Sequence, residues 1–147
     1  MTRFLADTNV WLGLTLSSHR HHPVCLAWID GVDEPGAVVM PRLVQLSLLR
    51  LLTTAAVLAP HDRPPLTNVE AWQVVDAIAA DERVIVDVGE PTLDEVWRDL
   101  SHRQTASPKL WMDAYLAAYA MSSGCTLVTL DAAFAQFEEL AMLNLAR

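Results

Sequence analysis

Residues 4–14, FLADTNVWLGL, place a carboxylate and an amide between two apolar segments. Arg3-Phe4-Leu5-Ala6 reads as a short strand. Asp7, Thr8 and Asn9 follow it, and Val10-Trp11-Leu12 resume the apolar run. Asp and Asn are favoured helix caps, so Asp7-Thr8-Asn9 can open a helix near Thr8. A strand that passes straight into a capped helix is the first half of a βα unit, and the rest of the chain repeats that arrangement. Ala37–Met40, Val84–Val88 and Thr126–Leu130 read as further strands, and Leu143–Leu145 as a short fifth. Their apolar residues run continuously instead of alternating, as in a parallel sheet buried on both faces.

Helical spacing lies between the strands, over His22–Asp30, Arg42–Thr54, Asn68–Ala80, Thr92–His102 and Lys109–Met121. Pro41 and Pro108 stand where helices begin. Strand–helix alternation of this kind predicts an α/β fold: a three-layer α/β/α domain around a parallel sheet of four to five strands. Arg63-Pro64-Pro65 marks a loop within it, so residues 1–147 are expected to form one domain.

Bulk properties narrow the function. A chain of 147 residues that is 52% hydrophobic and 19% charged is ordered and can bury a core. Its net charge of −8 is the wrong sign for a duplex-binding module. Nucleic-acid contact would therefore need a local basic patch or bound cations. Cys25 and Cys125 form no CxxC pair, and no N-terminal leader pattern precedes the first strand, so a reduced cytoplasmic setting is expected. The most apolar run, residues 43–59, is interrupted by Gln45 and Arg50 and reads as a core helix, not a membrane span.

Open parallel sheets bind ligands beyond the carboxyl ends of their strands, where the strand order reverses. Asp7 follows the first strand and Asp131 the fourth. Asp113 shares a helix face with Leu110, Ala117 and Ala120, so its carboxylate lies on an apolar stripe. Lys109, four residues earlier, is the nearest cation in sequence. Taken singly, each acid is accounted for by a helix cap or by the helix macrodipole. If the first and fourth strands are neighbours at that reversal, the three acids converge on one crevice, where they would raise one another's pKa. A divalent cation relieves that repulsion, and hard oxygen donors suit Mg²⁺ or Mn²⁺ better than zinc.

LADTNVWLGL at the N-terminus, VQLSLLRLL in the middle and MDAYLAAYAMSSGCTLVTLDAAF near the C-terminus resemble the PIN domain family. Within it they resemble more particularly the VapC-type toxin ribonucleases of type II toxin–antitoxin modules, in a mycobacterial-type branch. The resemblance implies a Mg²⁺- or Mn²⁺-dependent endoribonuclease that cleaves RNA phosphodiesters through metal-activated water, leaving a 5′-phosphate and a 3′-hydroxyl. It implies that Asp7, Asp113 and Asp131 form the catalytic and metal-binding cluster, with Asn9 and Thr129 holding it by hydrogen bonds. It also implies a homodimer and a VapB-type antitoxin partner. The family pattern carries a Glu on the helix after the second strand; the matching position here is read as Gln45, followed by Arg50. That change keeps open a second reading, a catalytically impaired PIN-like module that binds RNA or protein.

Arg98, Arg103 and Lys109, flanked by Trp97 and Trp111, form a candidate RNA-facing rim together with Arg42 or Arg50; a solvated helix end explains them equally well. His19, His21 and His22 lack a fourth ligand and read as structural or capping groups. His61 and His102 read as isolated and exposed. The five tryptophans read as core and interface, not as a stacking platform. Aspartyl-phosphate chemistry would need a second Asp two residues after Asp7, where Asn9 stands. A receiver domain would need a Lys after a late strand, and none follows Thr129.

Overall fold

The structure is a computed structural model and describes residues 2–86 and 89–147. Among the described residues five parallel strands form one sheet in the order β3-β2-β1-β4-β5. They are β1 (Arg3–Ala6), β2 (Val38–Met40), β3 (Val84–Val86), β4 (Cys125–Thr129) and β5 (Met142–Asn144). Asp87 and Val88, the last two residues of the predicted third strand, lie outside the described residues. The chain builds outward from β1 through β2 to β3, then returns to place β4 on the other side of β1. The order therefore reverses between β1 and β4, with Leu5 opposite Leu127 and Ala6 opposite Val128.

Among the described residues seven α-helices accompany the sheet: α1 (Thr8–Thr15), α2 (His22–Asp30), α3 (Arg42–Leu52), α4 (Ala55–Leu58), α5 (Asn68–Ala79), α6 (Asp94–Ser101) and α7 (Leu110–Ser122). The helices α1, α2, α3 and α5 pack on one another, while α6 packs on α7 and α7 lies against β4. The central strands are covered on both faces: Leu5, Ala6, Val38, Met40, Leu127 and Val128 are fully buried. This burial is what their continuous apolar runs predicted.

Local signals set the boundaries. Thr67 and Glu70 make a capping box at the start of α5, with the Glu70 backbone N–H donating to Thr67 Oγ1 at 3.1 Å and the Thr67 N–H donating to Glu70 Oε1 at 2.9 Å. Gly124 ends α7 with φ +67°, a left-handed conformation that glycine reaches without strain, and it turns the chain into β4. Arg83 locks the entry to β3. It forks onto Asp81 at 2.7 Å and also donates to the carbonyls of Ile29 and Val32 at 2.7 and 3.2 Å, pinning the end of α2 to the sheet edge.

One predicted element divides. The helix expected to run from Arg42 to Thr54 stops at Leu52, and α4 leaves at a 76° bend. Thr53 and Thr54 cause the break: both hydroxyls donate back to carbonyls in the last turn of α3, at 2.9 Å to Leu49 and 2.5 Å to Arg50. Among the described residues no single helix is long and apolar enough to cross a membrane.

Leu127 sits in the middle of β4, between β1 and β5, with no exposure. Leu127→Ala should destabilise the fold by about 2–5 kcal/mol, through lost burial and the cavity left behind. Urea unfolding would show this as a lower midpoint at unchanged slope.

Candidate active site at the strand-order switch

Asp7 is the cap of α1 and the first residue beyond β1. Its Oδ1 accepts the Thr8 N–H at 2.7 Å, and its backbone N–H donates to the Val128 carbonyl at 2.8 Å, stitching the end of β1 to β4. Its Oδ2 accepts the Thr129 hydroxyl at 3.0 Å. Thr129 is fully buried, and its Oγ1 also accepts the Asp131 backbone N–H at 3.0 Å. One hydroxyl thus ties Asp7 to the turn that carries Asp131. Asn9 adds a second tie, its Oδ1 accepting the Leu130 N–H at 3.2 Å. Asp131 caps the 3-10 turn Ala132–Gln136, its Oδ1 accepting the Ala133 N–H at 2.8 Å.

Capping does not exhaust these carboxylates. Each oxygen has two lone-pair directions, and the hydrogen bonds above use one on each oxygen of Asp7 and one on Asp131 Oδ1. Asp113, in the first turn of α7, faces Asp7 across a cleft of about 270 Å³. Lys109, Met112, Thr8 and Ser47 share its walls.

Burial pushes the Asp7 carboxyl up to about 6, against the hydrogen bonds from Thr129 and Thr8 that lower it; Asp113 and Asp131 add repulsion. Burial also raises Asp113, Asp131 raises it further, and the Lys109 ammonium partly offsets both. The three acids therefore sense one another electrostatically. Among the described residues no group of three His, Cys, Asp or Glu side chains is gathered tightly enough to hold a metal ion as the side chains stand. Mg²⁺, however, keeps several of its waters and needs only one or two protein carboxylates. Two partly buried carboxylates of raised pKa in one cleft, with open lone pairs, are a donor set of that kind.

The other predicted positions scatter. Gln45 lies on the core side of α3, 5% exposed, and its Nε2 has no hydrogen-bond partner. The residues that α3 turns toward the cleft are Leu43, Val44 and Ser47, so Ser47 is the polar group on the wall where Gln45 was expected. Arg50 lines a different groove, beside Trp72 and Asn68. Lys109 reaches the cleft, Arg98 lines a groove between α6 and α7, and Arg103 donates to Gln136 Oε1 at 2.7 Å, next to the Asp131 turn.

His61 is not isolated. It stacks on His19 with ring centres 6.1 Å apart and bonds to Ser18 Oγ at 2.7 Å. Loop closure across more than forty residues brings it there, which local sequence does not reveal. His102 is exposed, as predicted. Trp11 is buried, as a core role requires, but Trp72 and Trp111 are half or more exposed.

For the cation-free protein the titration has a definite sign. The folded-state pKa of Asp7 lies above its ordinary 3.8, so the native state holds that proton more tightly than the unfolded chain. The resulting stabilisation is complete below pH 4 and is lost as pH rises through about 6. It is on the order of 2–3 kcal/mol. Urea titrations in EDTA should show stability falling over that window for the wild type and a flatter profile for Asp7→Asn; parallel profiles would mean that Asp7 is not the group responsible.

Residues 4–140 match the PIN domain family. The chain is 46% identical over 144 residues to Ribonuclease VapC41 of Mycobacterium tuberculosis, covering 97% of this chain and 99% of that one. It is 34% identical over 137 residues to Ribonuclease VapC31 of the same species, covering 91% and 92%. Its fold is similar to the DNA-bound VapBC of Salmonella typhimurium, with TM-score 0.65, 14% identity and 99% of each chain covered. It is also similar to VapC20 of M. tuberculosis, a sarcin-ricin loop cleaving toxin, with TM-score 0.60, 18% identity and 90% and 93% covered. The strand order, the acids at its reversal and these relatives agree: the chain belongs to the PIN domain family, among its VapC ribonucleases.

Proposed function

We propose that the protein is the endoribonuclease toxin of a VapBC-type pair, hydrolysing RNA phosphodiesters with one Mg²⁺ or Mn²⁺ held by Asp7 and Asp113, with Asp131 acting on it directly or through water. The observation that carries this reading is the pair of raised-pKa carboxylates, Asp7 and Asp113, lining one cleft at the strand-order switch. When bound, such a cation lowers the pKa of a coordinated water and neutralises charge on the phosphate oxygens. It also offsets the burial and the added repulsion that raise both acids.

The chain's own groups supply the positioning. Thr8 N–H and the Thr129 hydroxyl fix the Asp7 carboxylate from two sides, so its free lone pairs point into a defined space. Thr129 and Asn9 hold the Asp131 turn against the same strand end. Lys109, at the mouth of the cleft, is placed to meet a phosphate. Water attacks phosphorus, the bond to the 3′ oxygen breaks, and the products carry a 5′-phosphate and a 3′-hydroxyl. No protein nucleophile is required. The α3 wall offers Ser47 and apolar groups but no acid, which favours one cation over two.

Relatives with VapBC structures support an antitoxin partner, and the exposed Leu46, Val69 and Trp72 on α3 and α5 are apolar surface that a homodimer contact or an antitoxin would cover. A cytoplasmic setting follows from RNA as the substrate.

Cleavage of a labelled RNA with Mg²⁺ or Mn²⁺ tests the reading. Asp7→Asn and Asp113→Asn should fold and lose activity by orders of magnitude, whereas loss of a cap alone would cost only about 1 kcal/mol of stability. Thr129→Val, which removes the bridging hydroxyl at nearly constant volume, should lose roughly 10–100-fold. Full activity in a folded Asp7→Asn or Asp113→Asn variant would overturn the assignment.

A further inference from the structure

We propose that the groove between α6 and α7, walled by Trp97 and Trp111, stacks a nucleobase of the single-stranded RNA whose backbone enters the acidic cleft. This rests on the ribonuclease reading and extends it to a subsite that selects unpaired substrate. The groove encloses about 460 Å³ and is lined by Asp94, Trp97, Arg98, Ser101, His102 and Trp111.

One aromatic wall, Trp97, is held in place before anything binds, and the other, Trp111, is free of the core. Trp111 is 57% exposed, so its indole is not serving the core. Trp97 is fixed at both ends: its Nε1–H donates to the Trp111 carbonyl at 3.0 Å, and its ring meets Tyr115 edge-on at 5.4 Å and 87°. Ser101 donates its hydroxyl to the Trp97 carbonyl at 2.6 Å, holding the same turn of α6. Rigid aromatic walls bind a flat ring at low entropic cost, and stacking accepts any base because every base has a π-face.

The occupant is identified by continuity and charge. Trp111 and Asp113 share the first turn of α7, and Lys109 and Met112 of that turn line the cleft. A strand with its phosphate at Asp113 need only cross this turn to present a neighbouring base to Trp111. Met112, 47% exposed, forms the crossing point between them. Residues 97–109 carry Arg98, Arg103 and Lys109 against Asp99, a local excess of positive charge in a chain of net −8. Arg98 on the groove wall suits a backbone phosphate. Asp94, on the same groove, repels a phosphate inside it and so favours an uncharged ring there. A duplex keeps its bases stacked and could not deliver one, so the groove would favour single strands.

The test is fluorescence anisotropy of a labelled short single-stranded RNA with EDTA in place of the cation, so that binding is read without cleavage. Trp111→Ala should weaken binding roughly tenfold, the value of one lost stack, while Trp111→Phe should stay close to wild type. Arg98→Ala should flatten the dependence of log affinity on log salt by about 0.7. Circular dichroism and thermal midpoints would establish that the variants fold, and the Trp111 carbonyl that Trp97 uses is kept in both substitutions. A folded Trp111→Ala that binds this RNA as tightly as wild type would overturn the proposal, including where that variant instead loses a protein partner. The two readings fail separately. Wild type that never cleaves RNA, with binding still lost in Trp111→Ala, removes the nuclease and leaves the groove; active wild type with unchanged Trp111→Ala binding removes the groove alone.

Discussion

The Thr129 hydroxyl joins the two halves of the sheet at the point where strand order reverses. It donates to Asp7 at the end of β1 and accepts the backbone N–H of Asp131 beyond β4, each at 3.0 Å. A hydroxyl that is fully buried must find partners on both counts, or pay the desolvation of an unmade bond. Parallel pairing of β1 with β4 makes the arrangement possible, because both strands end at the same height. The return crossover through α6 and α7 brings Asp113 to face it. Topology thus brings Asp7 near two acids that lie more than a hundred residues further along the chain, and their repulsion adds to the burial that raises its pKa.

The division between cap and functional group proves to be artificial here. Asp7 caps α1 through Oδ1 and turns Oδ2 to Thr129, and Asp131 caps the following 3-10 turn through Oδ1. Helix capping is how the chain fixes these side chains at the head of the sheet. The raised pKa of Asp7, despite two hydrogen bonds that lower it, shows burial to be the dominant effect. In the proposed reaction a bound cation replaces the proton that this environment otherwise favours.

Much of this was legible in the residues. Apolar runs place the first, second, fourth and fifth strands to within a residue and mark the start of the third, and acids just past the first and fourth point to the switch. Asp113 was legible because a charge on an apolar helix face demands an explanation. What escaped was the rotation of helices about their own axes. Gln45 reads as a site residue from its place after β2, yet α3 turns it into the core and offers Ser47 to the cleft. The break at Thr53 and Thr54 depends on hydroxyls choosing backbone carbonyls over continued helix. The His19–His61 stack and the exposure of Trp111 arise from tertiary packing, which a linear pattern does not encode.

The central claim is that Asp7 and Asp113 together hold a divalent cation. Titration of Mn²⁺ into the metal-free protein, followed by electron paramagnetic resonance of the free ion, measures this without any RNA. Wild type should bind one Mn²⁺ per chain, more weakly as pH falls through about 6, with binding lost in either Asp7→Asn or Asp113→Asn. Undiminished Mn²⁺ binding in folded Asp113→Asn, or none in the wild type, would contradict the account.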